Sequence, residues 1–208
     1  MATMPAMDGR KARGAATRER LLAAARRLFG ERGYEATSIE SVLEASGVAR
    51  GALYHHFHSK ADLFDAVLAE VLIEIAQRTA AAAMDSGDPL EGLRAGSHAW
   101  LQLALDPAIQ RIALLDPTIA VGWARWREQD EQHSLGGLRA SLLRLAGEGR
   151  VPSGQVELLA QVLLAALNEA ALYVAYAEDQ RDAAETARVT VDTLLGRLFE
   201  PSRRAGRS

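Results

Sequence analysis

Apolar residues in the first third of the chain recur at steps of three and four, the spacing of one helix face. Leu21, Leu22, Ala25, Leu28 and Phe29 predict a helix with Thr17 as N-cap and a stop at Gly33. Arg20 stands where a capping box would carry Glu, so only half of that start signal is present. "ATSIESVLEASG" repeats the grammar in miniature: Thr37 or Ser38 caps, Ile39, Val42 and Leu43 face inward, and Gly47 ends a short helix. A third short helix is expected over about residues 49–56. Ser59, with Asp62 three residues on, then opens a long helix to about residue 83, whose apolar face carries Leu63, Phe64, Val67, Leu68, Val71, Leu72 and Ile75.

"MDSGDP" breaks the pattern at 84–89. Beyond it the chain predicts five more helices. One covers about 89–105, a short one follows Pro107, one runs from Pro117 to about Gly147, and two cover about 155–178 and 183–199. No segment alternates long enough to be a strand, no internal repeat occurs, and no glycine loop suits a phosphate. The expectation is an all-α chain of about nine helices: three short N-terminal ones followed by a larger helical body.

Composition supports that picture, with aromatic residues at 5% and Ala and Leu abundant. The absence of cysteine excludes disulfides, thiolate metal sites and cysteine nucleophiles. The first residues lack the apolar core of a signal peptide. The most lipid-like stretch, residues 158–177, is interrupted by Gln161, Asn168 and Glu169, which favours a buried helix over a membrane span. A cytoplasmic protein with no membrane partner is expected.

Charge divides the chain more sharply than composition does. Residues 1–60 hold ten Lys/Arg against six Asp/Glu, whereas 61–208 hold fourteen against twenty-one. A basic head on an acidic body points to a head that alone meets a polyanion. The expected organisation is a flexible basic arm at 1–15, a polyanion-binding head at 16–60, a helical body at 61–200 and a disordered basic tail at 201–208.

"LYHHFH" concentrates three of the five histidines within four positions. Metal binding is one reading, but His55, His56 and His58 stand at i, i+1 and i+3, so only His55 and His58 share a helix face. No carboxylate or cysteine lies close enough in sequence to complete a ligand set, and neither a metal nor another cofactor is expected. With no cysteine, no glycine-rich elbow and no His/carboxylate pair of recognisable spacing, an enzyme is not expected either.

The stretch "LLAAARRLFGERGYEATSIESVLEASGVARGALYHHFHSKADLF", residues 21–64, resembles the tetracycline-repressor (TetR) family of bacterial transcriptional regulators. Its pieces are the "LF…GY…TS" path between the first two helices, then "GV", "LYHHF", and "SK" leading into an apolar helix. Over the remaining chain the likeness is a shared plan of helices. The resemblance implies an N-terminal helix-turn-helix DNA-binding domain and a larger ligand-binding and dimerisation domain.

The resemblance makes the third helix the recognition helix, and spacing agrees. Leu53 and Phe57 would hold it to the core while Arg50, Gly51, Tyr54 and His55 point outward. Arg50 can take guanine bidentately in the major groove, and Gly51 lets the backbone approach closely. Tyr54 and Lys60 match the family's phosphate contacts. Thr37, Ser38 and His56 complete the expected DNA-contact set. Ala49 departs from the family, which often carries Ser or Thr there, so the recognition helix lacks a side-chain cap.

The last two long helices carry the dimer expectation. Leu159, Val162, Leu163, Ala166, Ala170 and Val174 form one stripe, and Val189, Val191, Leu194, Leu195 and Leu198 another. Two such helices meeting a symmetric copy make a four-helix interface, and two-fold pairing reads two half-sites of double-stranded operator DNA. Packing inside one subunit would use the same stripes. Trp123, Trp126, Arg127, Asp130 and His133 recur on roughly one face, with His98 and Trp100 on a neighbouring helix, and Asn168, Glu169, Tyr173 and Tyr176 on another. Trp100, Trp123, Trp126, Arg127, Asp130, His133, Glu169 and Tyr173 are the candidate ligand contacts, for an effector of unknown identity. The tryptophans would equally serve as core, and the charges as a solvated face. The functional expectation is a homodimeric repressor released from an inverted-repeat operator by a small molecule, with the helix from residue 60 as lever. The other readings are an activator and a ligand-independent helical DNA-binding or scaffold protein.

Overall fold

A computed structural model describes residues 6–84 and 86–200, with side chains described from residue 12. The described residues form ten α-helices, a π-helical segment and a 3-10 turn, and no strand. They fall into two compact units. One takes the residues up to Val71 together with Pro107–Trp126, the other Leu72–Asp106 with the residues from Arg127 on.

The first unit is built on α1 (Ala6–Arg32), α2 (Ile39–Ser46), α3 (Arg50–His56) and the start of α4 (Lys60–Met84). The predicted start at Thr17 is wrong: the helix already runs from Ala6, and the Thr17 hydroxyl donates back to the Arg13 carbonyl. Ala- and Arg-rich residues propagate a helix readily, and Gly14 costs only about 1 kcal/mol. Residues 6–15 are therefore helical rather than a flexible arm, while 1–5 and the predicted tail 201–208 lie outside the described residues. Gly33 (φ 83°) and Gly47 (φ 62°) end α1 and α2 in the left-handed region, as the sequence led one to expect. Ser38 caps α2 in a reciprocal box with Ser41, and the Ser59 hydroxyl accepts from the Asp62 N–H at the start of α4.

Leu21, Leu28 and Phe29 of α1, Val42 of α2, Leu53 of α3, and Leu63, Phe64 and Val67 of α4 are buried in this unit. The rings of Phe29, Tyr34 and Phe64 pack edge-on or tilted, with centroids 5.1–5.9 Å apart. α6 (Pro107–Ile109), the π-helical Gln110–Leu115 and α7 (Pro117–Ala120) complete the unit. Asp116 Oδ2 accepts the Tyr34 N–H at 2.8 Å, tying the α1–α2 turn to this segment.

α5 (Pro89–Leu103), α9 (Val156–Tyr176) and α10 (Gln180–Phe199) pack together in the second unit, with most of α8 (Trp123–Gly147) and the end of α4. A Cβ on Gly92 would stand 2.9 Å from the Ala83 carbonyl oxygen, so α5 approaches the α4 backbone where only glycine fits. The single helix predicted from Pro117 to Gly147 is in fact two, α7 and α8. Gly122 (φ 84°) breaks it where no proline flags the stop. Ser153–Tyr176 is long and apolar enough to cross a membrane by length and composition. Two of its polar groups are nevertheless used within the protein: Asn168 Nδ2 donates to Asp130 Oδ2 at 2.7 Å, and the Leu167 carbonyl accepts from the Trp100 indole at 3.2 Å.

Candidate nucleic-acid interface

Leu53 is fully buried and Phe57 nearly so, which fixes α3 by its inner face. Burying each contributes about 1.5–3 kcal/mol. The Arg18 guanidinium lies 5.6 Å from the Phe57 ring centre. Arg20, unneeded as a cap, reaches the turn between α2 and α3, where Nη2 donates to the Ser46 carbonyl at 2.6 Å and the Gly47 carbonyl at 3.3 Å. The helix-turn-helix is thus held from behind by α1, and its outer face is left to Arg50, Gly51, Tyr54 and His55, all exposed.

Those four stand where the sequence placed them. Ala49 caps α3 with no side-chain bond, in extended backbone (φ −67°, ψ 145°). A Cβ on Gly51 would meet nothing within 4 Å, so no contact inside the protein demands glycine there. Arg50 Nη2 bonds Glu40 Oε1 at 2.5 Å, an ion pair between α3 and α2 that lies outside the reach of helical periodicity. The hydrogen bond to Arg50 holds the Glu40 carboxyl below the usual carboxylate range. Ser38 is exposed but occupied as the α2 cap.

Two expected contacts change character. Thr37 is fully buried, and its hydroxyl donates to the carbonyls of Gly33 at 2.8 Å and Leu28 at 3.2 Å. It is a structural tie, not a surface contact. Lys60 is half-buried: Nζ donates to the carbonyls of Tyr34 at 2.8 Å and Thr37 at 3.0 Å and stands 4.1 Å from the Tyr34 ring centre. In the free protein this ammonium holds the α1–α2 turn rather than waiting for a phosphate. Among the histidines, His55 and His58 are exposed and His56 half-buried, with the His55 and His56 rings 5.3 Å apart. No group of three or more metal-ligating side chains occurs among the described residues.

The candidate ligand contacts fall in both units. Trp123 is 65% exposed, and Trp126, half-buried, donates its indole N–H to the Ala113 carbonyl at 3.1 Å, both within the first unit. In the second unit Trp100 is buried against α9, and Arg127 bonds Glu131 at 2.7 Å while His133 is half-buried. Glu169 and Tyr173 face outward, on the side of α9 that also exposes Leu158, Val162 and Tyr176, and so do not line an interior site. What the body does bury is a polar cluster: Asp130 accepts from Ser134 Oγ at 3.0 Å and from Asn168 at 2.7 Å. Desolvation pushes the Asp130 carboxyl up, against those hydrogen bonds and Arg127. Ser134 was missed because its i, i+4 pairing with Asp130 looks like ordinary helix surface until burial is known.

The predicted dimer stripes divide in the same way. Leu163 and Val174 of α9 and Val191 and Leu195 of α10 are buried within the subunit, whereas Val162, Val189, Leu194 and Leu198 are exposed. Together with Leu158, Tyr173 and Tyr176 these leave an apolar outer face on both helices.

Comparison with known proteins agrees with this geometry. Residues 21–67 match the family described as bacterial regulatory proteins, tetR family, and residues 90–198 the tetracyclin repressor-like C-terminal domain. The chain is 32% identical over 140 residues to the HTH-type transcriptional repressor AcnR of Corynebacterium efficiens, covering 65% of this chain and 69% of that one. It is 35% identical over 112 residues to the HTH-type transcriptional repressor Rv1474c of Mycobacterium tuberculosis, covering 53% and 58%. The crystal structure of a TetR-family regulator from Pectobacterium atrosepticum superposes with a TM-score of 0.81 at 33% identity, over 92% of this chain and 98% of that one. The chain belongs to the TetR family and is a DNA-binding transcriptional repressor.

Proposed function

We propose that the repressor acts in the cytoplasm as a homodimer formed through α9 and α10, and that it binds an inverted-repeat operator through α3 of each copy. The observation that carries the DNA reading is the recognition helix itself. It is anchored by Leu53 and Phe57, and a surface of Arg50, Gly51, Tyr54 and His55 is left with no intramolecular need for its glycine. The apolar outer face of α9 and α10 supports the dimer, since a monomer would leave Leu158, Val162 and Leu198 in water.

A small-molecule effector of unknown identity releases the operator by preferring the conformation that binds DNA poorly. The Asp130–Ser134–Asn168 cluster supports the second unit as its receptor, because it places directional polar groups, with Asp130 and Asn168 buried, inside that unit. α4 runs through both units and is the natural connecting element.

Titrating a selected operator with wild type and Arg50→Ala tests the DNA reading. Loss of a bidentate guanine contact should cost about 1–3 kcal/mol on the operator and little on an unrelated duplex. Equal losses on both duplexes would leave Arg50 as a phosphate contact and remove it from base reading.

A further inference from the structure

The surface formed by α2 and α3 carries two carboxylates, Glu40 and Glu44, and one arginine, Arg50. Glu40 lies in the first turn of α2 with its side chain 64% exposed, bonded to Arg50. Folding accounts for part of it, since a carboxylate in the first turn suits the N-terminal end of the helix dipole, but not for its pairing with Arg50. Ser38 already caps α2, and an exposed ion pair contributes little to stability. A negative charge on a surface that must approach phosphates weakens binding to every duplex alike. Glu40 is bonded to the very side chain expected to read a base, and a role on particular sequences would offset that cost.

Groove chemistry supplies one. A carboxylate only accepts hydrogen bonds. In the major groove guanine offers the acceptors N7 and O6 and thymine the acceptor O4, all of which repel it, while cytosine presents the N4 amino donor. Arg50 has the opposite preference and takes guanine N7 and O6. Because the two side chains touch in the free protein, the groups they read are expected to be neighbours on the duplex.

We propose that Glu40 is a specificity-determining residue of the operator interface: it accepts the amino group of a cytosine beside the guanine that Arg50 reads, and it rejects duplexes that place an acceptor there. The proposal rests on α3 facing DNA. In the free protein the same contact holds the Arg50 fork in place, so less side-chain freedom is lost when the guanine arrives. On a mismatched duplex Glu40 keeps its charge and loses its donor, and binding weakens there most.

The test is selection from random duplexes by the full-length wild type, Glu40→Ala and Glu40→Gln, with titration of the selected operator and one unrelated duplex. Circular dichroism melts confirm that each variant is folded. Glu40→Ala should keep the guanine, lose the cytosine preference at one position per half-site, and narrow the operator-to-unrelated affinity ratio by about tenfold. Glu40→Gln should move that position toward adenine, whose N6 and N7 suit an amide. Variants that select the wild-type sequence at the wild-type ratio overturn the proposal. So does loss of guanine and cytosine preferences together, which would make Glu40 a positioning residue for Arg50. If the wild type itself selects nothing, the DNA-reading surface fails along with Glu40.

Discussion

Gly51 and Asp130 show what single residues reveal when their surroundings are known. Glycine inside a helix costs about 0.5–1 kcal/mol relative to alanine, and no neighbour of Gly51 repays that cost. Gly51→Ala should therefore raise stability by about that amount in denaturant titrations, yet weaken operator binding by bringing a methyl group to the DNA face. A variant that is more stable and binds as well as wild type would show that Gly51 stands away from the duplex. Asp130 has the opposite history: it was named from sequence as a ligand contact, and it is buried with its carboxyl pushed up by desolvation. With the folded value raised above the unfolded one of about 4, the folded state holds the proton more tightly, so stability falls as pH rises from about 4 through the raised value. Asp130→Asn cannot ionise and should remove that slope. Its melting temperature relative to wild type should climb with pH across this window, and parallel pH curves would mean that Asp130 titrates alike in the folded and unfolded chain.

At the scale of elements, local signals were legible and partner signals were not. Gly33, Gly47 and Ser38 act on their own few residues of backbone, so the limits of α2 and the end of α1 could be read directly. The continuation of α1 back to Ala6 and the break at Gly122 escaped notice because good helix formers and a lone glycine leave no sharp mark. Whether an apolar stripe faces its own subunit or a second copy depends on neighbours far away in sequence. Val191 and Val189 belong to one stripe on paper, and the fold buries the first and exposes the second. The same dependence hid the Arg50–Glu40 pair, two residues on separate helices. The exposed half of the stripes gives the element-scale prediction. Val162→Asp or Leu198→Asp should leave the melting of the subunit nearly unchanged but shift sedimentation from dimer to monomer and lower operator affinity by at least about tenfold, since one half-site is then bound at a time. A dimer that survives both substitutions would place the interface elsewhere.

For the whole molecule, the account is that one basic helix-turn-helix per subunit is paired by a two-fold axis to read two half-sites. The N-terminal region supplies the reader, with Arg50 outward on a helix pinned by Leu53 and Phe57. The exposed apolar faces of α9 and α10 are the surface we propose for the pairing. Sequencing duplexes selected from a random pool by the purified full-length protein tests this most directly. The account predicts an inverted repeat with a guanine in each half-site and half-site centres about 10–10.5 base pairs, or a multiple of that, apart. Enrichment of a single asymmetric half-site, or of no sequence at all, would contradict it.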